Sequence, residues 1–217
     1  MTEDPPAPQR VIAAACEEDL RKYGDSFRGV GYTKSACEAE ARYALMLGVI
    51  RDADAPASVL DFGCGLGHLF DYIQRHALSH LLYTGLDISN AYLSVARDRH
   101  PEVEFIQMDV LESDRDLPDY DYVLLNGIFN YRGPLAEERM RQYWQDLLLV
   151  TYRHAMRGLA FNVMSTIVDW ERADLFHLPF DVMAQFVGRN LSRHFIIKHD
   201  YRAYEYTTYI YRDPTGP

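Results

Sequence analysis

The stretch Ser58-Val59-Leu60-Asp61-Phe62-Gly63-Cys64-Gly65-Leu66-Gly67-His68-Leu69 decides the fold. Val59, Leu60 and Phe62 form the short apolar run expected of a buried parallel strand. Gly63, Gly65 and Gly67 then fall at alternate positions, and Leu66, Leu69, Phe70 and Ile73 continue at helical spacing. The order is strand, glycine-rich turn, helix. Glycines allow positive φ and close approach of a ligand to the backbone, and the helix N-terminus behind them offers unpaired N–H groups. This is the outline of a cofactor pocket.

The glycine spacing separates cofactor classes. A dinucleotide fingerprint needs its third small residue three positions after the second, where this chain has His68. The glycine comes one position earlier, at Gly67, and Asp61 precedes the first glycine by two. Three further strands follow in order. Residues 82–89 end in an acid, Asp87, placed to accept both hydroxyls of a ribose. Residues 103–109 end in Met108-Asp109, and residues 122–127 open into a loop at Asn126-Gly127.

This Asp-x-Gly-x-Gly-x-Gly pattern and the elements after it resemble the class I S-adenosylmethionine (SAM) dependent methyltransferases of small-molecule type, chiefly over residues 58–165. The resemblance implies an α/β fold: a seven-stranded, mostly parallel sheet with helices on both faces and a C-terminal antiparallel β-hairpin. It implies SAM as the cofactor, Asp61 near the SAM amino group, Asp109 on the adenine amino group, Met108 on the adenine ring, and Val110 or Leu111 packed beside it. In such enzymes N-terminal helices cover the SAM site, which brings in Tyr32 and Arg42, the latter as a partner for the SAM carboxylate. The cofactor set so implied is Tyr32, Arg42, Asp61, Gly63, Cys64, Gly65, Gly67, Asp87, Ile88, Met108, Asp109, Val110 and Asn126.

Bulk properties exclude several classes. At 217 residues one globular domain is expected, and 48% apolar residues suffice for a core. A net charge of −10 without a basic patch argues against nucleic acid. No apolar run approaches a membrane span, and the acidic, proline-rich start is unlike a signal peptide, so a cytoplasmic protein without a membrane partner is expected. Cys16, Cys37 and Cys64 lack disulfide or metal-ligand spacing.

The flanks divide as a disordered tail over residues 1–10, a helical cap over residues 11–55, with helices at 11–23 and 35–50, and a SAM-binding domain over residues 56–217. Residues 71–80 complete the helix that follows the glycine turn, and further helices are expected at 90–100, 135–154 and 179–191, with a short helix plus loop at 110–120. A fifth strand is expected at 158–165, and the closing strands at 194–201 and 204–211.

Chemistry belongs in the loop after the fourth strand, since open parallel sheets bind ligands at strand carboxyl ends. Here Asn126-Gly127-Ile128-Phe129 keeps the ends of an Asn/Asp-Pro-Pro-Tyr/Phe tetrapeptide but lacks both prolines, which counts against base or glutamine amino groups as targets. Asn130 and Tyr131 are candidates to orient an acceptor. His177, in the long connection over residues 166–178, is the leading candidate base, ahead of His154 and His68. Oxygen ligands are too few for a magnesium site, so no metal is expected. The expected activity is methyl transfer to O or N of a small polar acceptor, of natural-product or sugar type, with a homodimer left open. The competing readings are a nicotinamide-dependent oxidoreductase and a non-catalytic SAM-binding protein.

Overall fold

A computed structural model describes residues 6–30 and 36–215. Its elements run α1 (Pro8–Tyr23), a 3-10 turn (Arg28–Val30), α2 (Ala36–Leu47), β1 (Ala57–Phe62), α3 (His68–Arg75), β2 (Leu81–Asp87), α4 (Asn90–Arg99), β3 (Glu104–Gln107), β4 (Tyr120–Leu125), α5 (Glu137–Arg153), β5 (Ala155–Met164), α6 (Phe180–Asn190), β6 (Phe195–Lys198) and β7 (Glu205–Tyr211).

The strands form one seven-stranded sheet in the order β3-β2-β1-β4-β5-β7-β6. β1 lies parallel between β2 and β4, with Leu60 opposite both Thr84 and Val123. Strand order reverses there, so the loops after β1 and β4 diverge and leave a crevice. β7 runs antiparallel to β5 and β6. Its first residue, Glu205, therefore pairs with Met164, the last of β5, and stands at the same sheet end as the carboxyl ends of the parallel strands.

Helices cover both faces. On one, Met140, Trp144 and Leu147 of α5 and Met183 and Val187 of α6 pack on Val123, Phe161 and Tyr206. On the other, Tyr43 and Met46 of α2, Leu69 and Ile73 of α3 and Leu93 of α4 pack on Val59, Leu124 and Tyr209. Each such side chain contributes about 1.5–3 kcal/mol of transfer free energy. Ser89 accepts the Tyr92 N–H at 3.3 Å and caps α4, as its position before the helix suggests.

Several boundaries differ from expectation. α1 starts at Pro8, so residues 8–10 of the expected tail are helical; proline suits a first helical position, and Gln9 and Arg10 are tied to Asp109 and Glu112. α3 follows the glycine turn as expected but ends at Arg75, short of residue 80, because Ala77 takes positive φ. The segment after Asp109 forms turns and no helix. All of β7 is buried, since strands on both sides and helices on both faces enclose it. Among the described residues no helix is long and apolar enough to cross a membrane.

Candidate active site

The glycine turn is built by its backbone. Gly63 and Cys64 both donate N–H groups to Leu86 O, at 2.7 and 3.0 Å, which pins the turn to the end of β2. Gly63, Gly65 and Gly67 have φ of 72°, 55° and 79°, a region that L side chains avoid. A Cβ on Gly63 would stand 2.0 Å from Ile128 Cδ1, and one on Gly65 3.3 Å from Val30 Cγ1. The turn is therefore a close-packed cradle that only glycine can form.

Two buried carboxylates flank it. Asp87 accepts Gly65 N–H at 3.0 Å and Ser89 N–H at 2.9 Å, joining the glycine turn to the start of α4. Burial pushes its carboxyl up from 3.8 to about 6, against the pull of those N–H groups. Asp61 accepts the Tyr83 hydroxyl at 2.9 Å, and burial pushes it from 3.8 to about 7. At the end of β3, Asp109 accepts Leu111 N–H at 3.2 Å and the Gln9 amide at 3.3 and 3.2 Å. Met108 is tied by its N–H to Asp87 O at 3.2 Å.

The other half of the site lies past β4 and β5. Gly127 N–H donates to Asn162 Oδ1 at 2.7 Å, fixing the turn after Asn126. Asn130 Nδ2 donates to Glu205 Oε2 at 2.8 Å, and Arg42 Nε pairs with Glu205 Oε1 at 2.7 Å. A buried acid thus ties α2, the β4 loop and β7 together. Tyr131 makes a β-bridge with Leu175, and its ring lies against Gly133. His177 Nδ1 lies 2.7 Å from Ser165 O. A carbonyl only accepts, so Nδ1 carries the proton and the neutral ring keeps its lone pair on Nε2. That Nε2, like Asn130 Oδ1, is buried and has no hydrogen-bond partner among the described residues.

These residues line one cavity of about 1310 Å³. It brings together Arg42, Asp61, Gly63, Cys64, Gly65, Asp87, Ile88, Met108, Asp109, Val110 and Asn126 with Asn130, Tyr131 and His177. Gly67 stands behind its wall, packed toward His100 and Phe105. Tyr32 lies outside the described residues. Of the weaker histidines, His68 borders the cavity, whereas His154 is bound at the far sheet end by Asp114 and Asp119. The sequence reading missed Glu205 and Gln9. Glu205 is the lone acid in an aromatic strand, a usable signal; Gln9 falls in a stretch read as tail. Among the described residues no group of three His, Cys, Asp or Glu side chains is arranged to hold a metal ion.

Residues 59–151 match the family described as a methyltransferase domain. A Mycobacterium tuberculosis chain named as a methyltransferase, Rv1506c, is 27% identical over 167 residues, covering 75% of this chain and 96% of that one. Among solved structures, magnesium protoporphyrin IX methyltransferase of Synechocystis PCC 6803 with bound SAM superposes with a TM-score of 0.67 at 15% identity, over 98% of this chain and all of that one. The 1,6-didemethyltoxoflavin N1-methyltransferase of Burkholderia thailandensis, bound to 1,6-didemethyltoxoflavin and S-adenosylhomocysteine (SAH), gives 0.63 at 18% identity, over 98% and 94% of the two chains. The methyltransferase-domain match over residues 59–151 and the fold shared with these SAM-dependent methyltransferases coincide with the cavity at the strand reversal.

Proposed function

We propose that the protein transfers the methyl group of SAM to an O or N atom of a small polar acceptor, of the natural-product or sugar-metabolite kind. The observation that carries this reading is that one cavity joins the glycine cradle and its carboxylates to Asn130, Tyr131 and His177. The cradle fits SAM: a backbone close enough to exclude any Cβ, a carboxylate for the ribose at Asp87, and a second buried carboxylate, Asp61, for an ammonium group. The helices of residues 8–47 then serve as a cap, since α1 and α2 supply part of the cavity wall.

When bound, SAM supplies a methyl group already activated by its sulfonium. The chain's own work is to align the acceptor and remove its proton. His177 is placed for the second task. Its Nδ1–H is held by Ser165 O, so Nε2 presents a lone pair to an acceptor O–H or N–H, and the Ser165 carbonyl steadies the imidazolium that results. Asn130 Oδ1 offers a second acceptor nearby in the same cavity, its amide fixed by Glu205. Two buried acceptors without donors suit a substrate that brings its own donors. The 1,6-didemethyltoxoflavin N1-methyltransferase, alike in fold, is bound to 1,6-didemethyltoxoflavin and SAH, which is consistent with such an acceptor.

Calorimetric titration with SAM, SAH and NAD tests the cofactor, and methyl uptake from labelled SAM across sugar, amine and phenol panels tests the acceptor. Micromolar binding of SAM and SAH with NAD silent, followed by turnover on one panel, is expected. NAD binding without SAM binding would return the nicotinamide reading, and SAM binding without turnover on any panel would favour a non-catalytic binder.

A further inference from the structure

The rim of the cavity carries an apolar surface that the chemistry above leaves unused. Trp170 lies in the long connection between β5 and α6, lines the cavity, and is 71% exposed. The other tryptophan of the chain, Trp144, is fully buried in the core. Tyr204, just before β7, lines the same cavity and is 50% exposed. The two stand on one lip, because Tyr204 Oη donates to Asp169 Oδ2 at 3.4 Å and Ser165 N–H donates to Tyr204 O at 2.9 Å. The connection is anchored on either side of Trp170. Ile167 N–H donates to Ser165 Oγ at 2.9 Å, and Phe176 N–H donates to Asn130 O at 2.9 Å. Large exposed apolar side chains gathered beside a cavity mark a ligand-binding surface.

The surroundings specify the ligand. In this half of the cavity the guanidinium of Arg42 is engaged by Glu205 at 2.7 Å, and that of Arg172 by Asp174 at 2.5 Å. Four ring-bearing side chains, Trp170, Tyr204, Tyr131 and Tyr201, line it. Aromatic faces and edges bind another aromatic ring by offset stacking or T-shaped contact. There is also room. The cavity holds about 1310 Å³, against about 300–1,000 Å³ for a site that takes one small ligand, so a ring system fits beside SAM. Resting on the SAM reading above, we propose that Trp170 binds the ring of the methyl acceptor, and that the acceptor is a planar aromatic or heteroaromatic molecule and not a sugar. Trp170 then sets which acceptors are taken, and SAM binds without it at the glycine cradle.

The test is calorimetric titration of the SAH-loaded full chain, which cannot turn over. The probes are two planar hydroxylated rings, 1-naphthol and 4-hydroxyquinoline, the saturated counterpart decahydro-1-naphthol, and methyl α-glucopyranoside. The intact protein should bind at least one planar ring about tenfold or more tighter than the saturated ring and the glucoside. Trp170→Ala should weaken binding of that planar ring about tenfold, whereas Trp170→Phe, which keeps a ring face, should hold it within about threefold. SAH affinity should stay within about twofold in both variants, which also reports that they are folded; an exposed side chain is removed at little cost to the fold. Equal affinity for planar and saturated rings, binding of the glucoside alone, binding of none of the four, or an unchanged planar preference in Trp170→Ala would overturn the inference and leave the SAM reading intact. Failure of the intact protein to bind SAH would overturn both.

Discussion

Asp61 offers the sharpest physical test. Burial raises its carboxyl from 3.8 to about 7, with the nearby Asp87 charge adding to the rise and the Tyr83 hydroxyl opposing it. In the ligand-free protein the folded state keeps this proton where the unfolded chain has released it. The folded state therefore binds more protons between pH 4 and 7, and stability falls as pH rises through that window. At 1.36 kcal/mol per pKa unit the full effect is about 4 kcal/mol, of which about 3 kcal/mol lies between pH 5 and pH 8. Asp61→Asn removes the titration while keeping an oxygen for the Tyr83 hydroxyl. Urea unfolding of both proteins at the two pH values, without ligand, isolates the difference, since Asp87 titrates in both. The wild type should lose about 3 kcal/mol more than the variant between pH 5 and pH 8, and the variant should be the more stable at pH 8. Parallel losses in the two proteins would show that Asp61 is already ionised at pH 5 and that its burial is better compensated than the Tyr83 contact alone provides.

Other substitutions probe other parts of the cavity. Asp87→Ala removes the proposed ribose acceptor and should weaken SAM binding about 30-fold by calorimetry, equivalent to about 2 kcal/mol for a charged hydrogen bond; unchanged affinity would remove Asp87 from the ribose. Gly65→Val places a branched side chain at φ 55° and 3.3 Å from Val30 Cγ1, so a thermal melt should show lost stability of about 1–2 kcal/mol, together with lost SAM binding. Retained binding in a folded variant would mean the ligand does not approach this turn. His177→Ala should lower kcat by about 100-fold or more while leaving SAM affinity within about twofold; full turnover would place the base elsewhere or dispense with it.

How far the sequence discloses the site depends on the span of each contact. The glycine turn, Asp61, Asp87 and Asp109 sit at ends of successive strands, so local pattern locates them and parallel pairing gathers them at one sheet end. The Arg42–Glu205 pair joins residues 163 apart, and Gln9 meets Asp109 across 100. No local period encodes such pairs, because they depend on where β7 inserts and how α1 is laid against α4, α5 and the loop after β3. Arg42 illustrates the difference: its presence at the cavity follows from the resemblance, but its acidic partner emerges only once β7 runs antiparallel to β5. The early start of α1 was hidden for a similar reason. Pro5, Pro6 and Pro8 read as coil, whereas Pro8 opens a helix that tertiary contacts secure.

The strand order has a consequence for how the protein behaves in a crowded solution. The outermost strands, β3 and β6, are four residues each, against six to ten for the five inside. β3 carries Glu104 at its start and β6 carries Lys198 at its end. Strand edges are templates for unwanted pairing, and short, charged edges are poor templates. Placing β7 inside the sheet is what makes this so: its seven-residue aromatic run, Glu205–Tyr211, would be a long adhesive margin if it closed the sheet, and β6 shields it. The same insertion that delivers Glu205 to the cavity thus keeps this tyrosine-rich strand off the open edge of the sheet.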